Sequence, residues 1–156
     1  MGAENFAEQE RLMQRLDRKC QEQTERVRDM VREAGRPDLL AEFDQRLRES
    51  DLGITGARST WHSISDAQRR LLILLSNGPA SVRRTKGASY DVVSEAGSRA
   101  TGIRLGTVRN LARRELLEWT GGAFDPEASA APTERMAFVL KHGRPAPGAH
   151  FDGFRP

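Results

Sequence analysis

The stretch Thr101–Trp119, TGIRLGTVRNLARRELLEW, decides the fold. Its apolar residues Val108, Leu111, Ala112 and Leu116, with Leu105 beside them, recur at helical spacing, which predicts a helix from about 104 to 117 with that side buried. If Val108, Leu111 and Ala112 point inward, then Arg104, Thr107, Asn110 and Arg114 fall on other faces, flanked by Arg109 and Arg113. These side chains suit a duplex. An arginine fork matches guanine, asparagine can do the same with adenine, and threonine reaches a phosphate or a thymine methyl. Residues near the helix N-terminus enter a groove first, which favours Arg104, Thr107 and Asn110 for base edges. Arg113 and Arg114 are expected on phosphates, or paired with Glu115 and Glu118.

Working upstream, Ser65 with Gln68 three residues on is a capping box before the run Leu71–Leu75, and Asn77-Gly78-Pro79 stops that helix. A loose basic stretch follows from Ala80 to Ala88, in which Arg83, Arg84 and Lys86 are placed to grip a phosphate backbone. A short helix is expected around Tyr90 to Ala96, with Val92, Val93 and Ala96 inward, broken at Gly97-Ser98 before Arg99. Downstream, Gly121-Gly122 makes a turn and Thr133 to His142 reads as a last helix. The hairpin candidate Gly121 to Ala131 carries no Lys or Arg, and its Asp125 and Glu127 would repel phosphate. The tail from Gly143 has three Pro and three Gly in 14 residues and is expected to be mobile or laid on a surface.

Three stretches, SISDAQRRLLILLSNG (Ser63–Gly78), the Thr101–Trp119 segment and TGGAFDPEASAAPTERMAFVLKHG (Thr120–Gly143), together resemble winged helix-turn-helix DNA-binding proteins of the bacterial or phage regulator type. The resemblance covers about residues 63–142. It implies an opening helix, a turn with a recognition helix, a β-hairpin wing and a closing helix. It also implies double-stranded DNA as partner.

The charge distribution agrees with a polyanion partner. Residues 1–60 carry 11 Lys/Arg against 13 Asp/Glu, whereas 61–156 carry 14 against 9. Between Pro79 and Leu116 eight basic residues, Arg83, Arg84, Lys86, Arg99, Arg104, Arg109, Arg113 and Arg114, face three acidic ones, which concentrates the positive field there.

The first half reads differently. No Pro or Gly interrupts Ala3–Ala34, and strong helix formers dominate, which predicts one long helix. Read as heptads, Phe6, Met13, Cys20, Val27 and Ala34 take the a positions and Gln9, Leu16, Gln23 and Met30 the d positions. Phe6, Met13, Leu16, Cys20, Val27 and Met30 are therefore the candidate dimerisation residues, with a homodimer or higher homo-oligomer expected. The alternative is an amphipathic helix docked on its own domain. Gly35-Arg36-Pro37 ends this helix, and Pro37 to about Ser50 forms a second with Leu39, Leu40, Phe43 and Leu47 on one face. Asp51 to Ser63 shows no helical periodicity and reads as a hinge.

Enzymatic readings lack residues. His62, His142 and His150 are scattered, Cys20 has no nearby histidine, and no phosphate-loop ending follows the glycines at 97–106. No cofactor or metal is expected, and no residue points to a small-molecule effector. The single cysteine suits a reducing, cytoplasmic setting, and no apolar run is long enough to span a bilayer.

The expected fold is mainly α: a long coiled-coil-like helix and a second helix, then a winged helix-turn-helix domain with a small β-hairpin wing. The expected division is 1–50 oligomerisation region, 51–62 linker, 63–142 winged helix-turn-helix domain and 143–156 flexible tail. The expected function is sequence-specific transcriptional regulation by a DNA-bound dimer. The alternatives are a small-terminase-like assembly protein of a phage or mobile element, which ring-sized oligomers would favour, and a winged helix that binds protein.

Overall fold

The computed structural model describes residues 3–85, 89–121, 125 and 127–145. They are mainly helical, with six helices and one small antiparallel sheet, and they form two compact units that divide after Asp51.

In the first unit, α1 (Ala3–Glu33) and α2 (Pro37–Asp51) make a helical hairpin. Gly35 takes a φ of 62°, open to glycine without strain, and its N–H and that of Arg36 donate back to the Arg32 and Val31 carbonyls. Pro37 then opens α2, where its missing N–H leaves no bond unmade. α2 runs back along the C-terminal half of α1. Thr24, Arg28 and Val31 are half-buried on one side, and Leu40, Phe43 and Leu47 on the other. Arg28 Nε donates to Asp44 Oδ1 at 2.9 Å, and Arg28 Nη1 to Glu25 Oε1 at 2.7 Å. No residue of α2 is buried, nor is any of residues 5–33, so this unit has no dry core of its own.

The second unit runs α3 (Ile54–Ser63), α4 (Asp66–Ser76), β1 (Ala80–Arg84), β2 (Ser89–Ser94), β3 (Gly97–Arg104), α5 (Leu105–Arg113), β4 (Leu117–Thr120), β5 (Ser129–Pro132) and α6 (Glu134–His142). The sheet is antiparallel in the order β3-β2-β1-β5-β4. Register is fixed by alternation: Val82 pairs with Val92 on one side and Ala130 on the other, and all three are fully buried. Leu72, Val108, Leu111, Leu116 and Val139 complete the same core. Each such side chain contributes roughly 1.5–3 kcal/mol by leaving water.

Local signals place several of these elements. The expected capping box forms at α4, with Gln68 N–H donating to Ser65 Oγ at 3.3 Å and Ser65 N–H to Gln68 Oε1 at 2.8 Å. Thr133 caps α6 through the Met136 N–H at 3.2 Å. The hairpin after α5 is present as β4 and β5.

Four expectations are corrected. The segment expected as a helix around Tyr90–Ala96 is strand β2, because Tyr90 and Val92 alternate inward with period two and Val92 pairs with Val82. The expected loose basic stretch holds the central strand β1, whose Val82 is fully buried. The expected linker 51–62 contains α3, which buries Ala57 and Trp61, with Ile64 following, and packs on α6. Gly143, assigned to the tail, is buried against α3, while residues 146–156 lie outside the described residues.

α5 is also shorter than expected. It ends at Arg113 because Glu115 turns left-handed at φ 59°, and the Glu115 and Leu116 N–H groups donate to the Ala112 and Leu111 carbonyls. A non-glycine residue in that conformation is strained. Glu115 is held there by Thr133 Oγ1, which donates to its carbonyl at 2.6 Å, and by Arg135 at 3.1 Å from its carboxylate. Leu116 and Leu117 then enter the core as the chain becomes β4.

Candidate nucleic-acid interface

β3 runs into α5 with no intervening turn: Arg104 ends the strand and is the extended N-cap of the helix. Val108 and Leu111 are fully buried, as their spacing predicts. That rotation leaves Gly106, Arg109, Asn110 and Arg113 exposed, with Thr107 half-buried on the side of α4. The side chains of Arg104, Arg109, Asn110 and Arg113 make no hydrogen bond or ion pair among the described residues.

Arg114 is different. Its Nη1 donates to Ser63 Oγ at 2.6 Å and its Nη2 to the Ser63 carbonyl at 3.4 Å. The expected pairing of Arg113 and Arg114 with Glu115 and Glu118 is not found; Glu115 is engaged by Arg135. Between the α3–α4 turn and α5 lies an open cleft of about 460 Å³, lined by Ser63, Ser65, Gln68, Thr107, Asn110, Arg113 and Arg114. It has two guanidinium groups and no carboxylate, so its chemistry suits an anion.

The other predicted residues are dispersed. Arg99 is half-buried on β3, and its Nη1 donates to the Leu74 carbonyl at 3.2 Å near the end of α4. That is a structural tie, favourable at a helix C-terminus. Arg83 is exposed on β1, in register with Asp91 of β2 and Ser129 of β5, on the sheet face away from the core. Ser89 pairs with Arg104 on that same face by alternation. Arg84 is exposed at the end of β1. Lys86 lies outside the described residues. In the β4–β5 loop Asp125 is used locally, accepting the Glu127 N–H at 2.9 Å.

Sequence periodicity and charge did not single out Ser63 or Gly106. Ser63 sits in a stretch that looks like a loop, and only the fold brings it to Arg114. Gly106 carried a usable signal, a glycine inside a basic helical segment. A Cβ built on it meets nothing within 4 Å, so no close packing inside the chain requires glycine there. It shares the exposed face with Asn110 and Arg113, four and seven residues on.

Among the described residues no group of three or more His, Cys, Asp or Glu is placed to hold a metal ion, and no helix is long and apolar enough to cross a membrane. No family model, curated protein or solved structure matches this chain.

Proposed function

We propose that this protein is a sequence-specific regulator of transcription that binds double-stranded DNA through α5 and acts as a dimer through α1. The observation that carries the reading is the exposed, unpartnered set Arg109, Asn110 and Arg113 on the outer face of a helix whose inner face is fixed in the core. Arg and Asn are the side chains that read guanine and adenine in a major groove. The anion-suited cleft beside them can take a backbone phosphate, with Thr107 and Arg114 as further donors. The order α4, β1, α5, β4, β5, α6 supports a winged-helix reading, in which the β2–β3 hairpin stands where the first helix of a helix-turn-helix pair would be. The acidic β4–β5 loop has little to offer phosphate, so binding rests on α5 and its surroundings.

The test is fluorescence anisotropy on a 30-base-pair random duplex across a salt series, with an Arg109→Ala/Arg113→Ala variant alongside. Wild type binds with affinity falling steeply with salt, and the variant binds more weakly, with a slope lower by about one for each of the two arginines that neutralises a phosphate rather than reading a base. No binding by wild type at low salt overturns the reading.

A further inference from the structure

We infer that α1 pairs with α1 of a second copy of this chain in parallel and in register; this refines the dimer proposed above and rests on it. α2 covers the flank of α1 that carries Thr24, Arg28 and Val31 and leaves the a and d positions open along the whole helix. Phe6 is 73% and Met30 67% exposed at the two ends of the seam, and Met13, Leu16 and Val27 are exposed between them. The seam from Phe6 to Met30 spans roughly 36 Å at helical rise. Residues 5–16 are exposed throughout. A helix end without a packing partner is marginal in water, so this half of α1 needs an occupant.

The seam's own pattern selects a second copy in one orientation. In parallel register every layer meets its like: Phe6, Met13, Leu16, Cys20, Val27 and Met30 stack apolar on apolar, while Gln9 and Gln23 each bond the same amide of the other chain. The antiparallel register that sets Phe6 against Met30 sets Gln9 against Val27 and Gln23 against Met13. Each amide then faces hydrocarbon without a partner. Other antiparallel registers leave a heptad uncovered.

Charge on the flanks gives the same answer independently. In the parallel form each g residue lies beside the e residue five positions on in the second copy, so Asn5 meets Glu10, Leu12 meets Asp17, Lys19 meets Thr24 and Arg26 meets Val31, and no like charges face each other. The groove between α1 and α2 opens on the side of the e residues, with Asp17, Glu25, Asp44 and Asp51 outnumbering Arg28 and Arg48. Lys19 of the other chain, opposite Thr24 in that lining, therefore meets its acid excess. In the antiparallel form like flanks meet, and Asp17 faces Asp17 while Lys19 faces Lys19 at the centre.

The experiment uses the full chain. Light scattering gives the mass; then, in a Cys20→Ser background, Phe6→Cys and Met30→Cys are made singly, one carrying an affinity tag, and oxidised with diamide. The expected mass is twice the 17.4 kDa of one chain. Each variant is expected to crosslink to itself, and a co-refolded mixture to give no product joining the two. A mixed product overturns the parallel orientation. A single-chain mass at tens of micromolar overturns the pairing whether or not the duplex is bound. A doubled mass with self-crosslinks but no duplex binding upholds the pairing and removes the DNA reading instead. Both substituted positions are exposed in the single chain, so a change of mass reports the seam rather than a folding defect.

Discussion

Arg114 reaches back 51 residues to Ser63, donating to its Oγ at 2.6 Å, and so ties the end of α5 to the turn between α3 and α4. Its neighbour Arg113 lines the same cleft with no partner among the described residues. Two adjacent arginines thus have separable roles. Arg114→Ala should lower stability by about 0.5–1 kcal/mol, the lower range for a hydrogen bond at an exposed site, and weaken duplex binding as well. Arg113→Ala should leave the urea midpoint unchanged and reduce the salt slope of binding by about one. Equal effects of the two on stability would show that the Ser63 tie is not formed in solution.

Gly106 gives a prediction in which stability and binding move in opposite directions. Alanine is the better helix former, by less than the roughly 0.5–1 kcal/mol of a helix interior because Gly106 lies in the first turn, and nothing in the chain obstructs its methyl group. Gly106→Ala should therefore raise the melting temperature. If α5 is seated deep in a groove, the same methyl holds the helix off and separates Asn110 from the bases, with a loss of about fivefold or more in affinity, on the order of 1 kcal/mol. A stabilised variant that binds as well as wild type would show that α5 does not enter the groove at this end.

At the other end of the core, Gly143 is required by packing. A Cβ there would collide with the Ala57 and Val139 carbonyl oxygens, which are backbone and cannot swing aside. Gly143→Ala should destabilise the second unit by about 1–3 kcal/mol, as overpacking does, read as a lower urea midpoint. An unchanged midpoint would mean that α6 does not lie so close to α3.

The first unit offers a pH test. Arg36 donates to both carboxylate oxygens of Asp38, at 2.9 and 2.6 Å, and these bonds hold the Asp38 carboxyl below its ordinary range. A carboxyl whose folded pKa is depressed stabilises the fold fully above the ordinary range and loses that contribution as pH falls through the folded value. In a carbon-detected NMR titration Asp38 should titrate lower than in the Arg36→Ala variant. Coincident curves would show the pair to be absent.

How much of this was legible depended on how local the signal was. The turn at Gly35, the cap at Ser65 and the inward set Val108, Leu111 and Ala112 are written within a few residues, and sequence periodicity finds them. α3 was hidden because Gly53, Gly56 and the nearby Ser and Thr residues imitate a loop, while the burial of Trp61 depends on the core that α6 completes. Val92-Val93 fits either a helix or a strand, and the choice is made by β1 and β3. The roles of Arg99 and Arg114 were out of reach for the same reason. Their acceptors at Leu74 and Ser63 lie 25 and 51 residues away, and composition alone counts every arginine as free.

The position of β5 between β1 and β4 has a consequence for how the chain is made. Val82 acquires its second neighbour only when Ala130 arrives, and α3 acquires α6 later still. During synthesis, residues 52 to about 128 are made with the inner edge of β1 still unpaired, an open template for strand addition by another chain. A chain cut short before Ser129 would therefore keep that edge open and be prone to aggregate, while α1 and α2 are complete long before β5 is made.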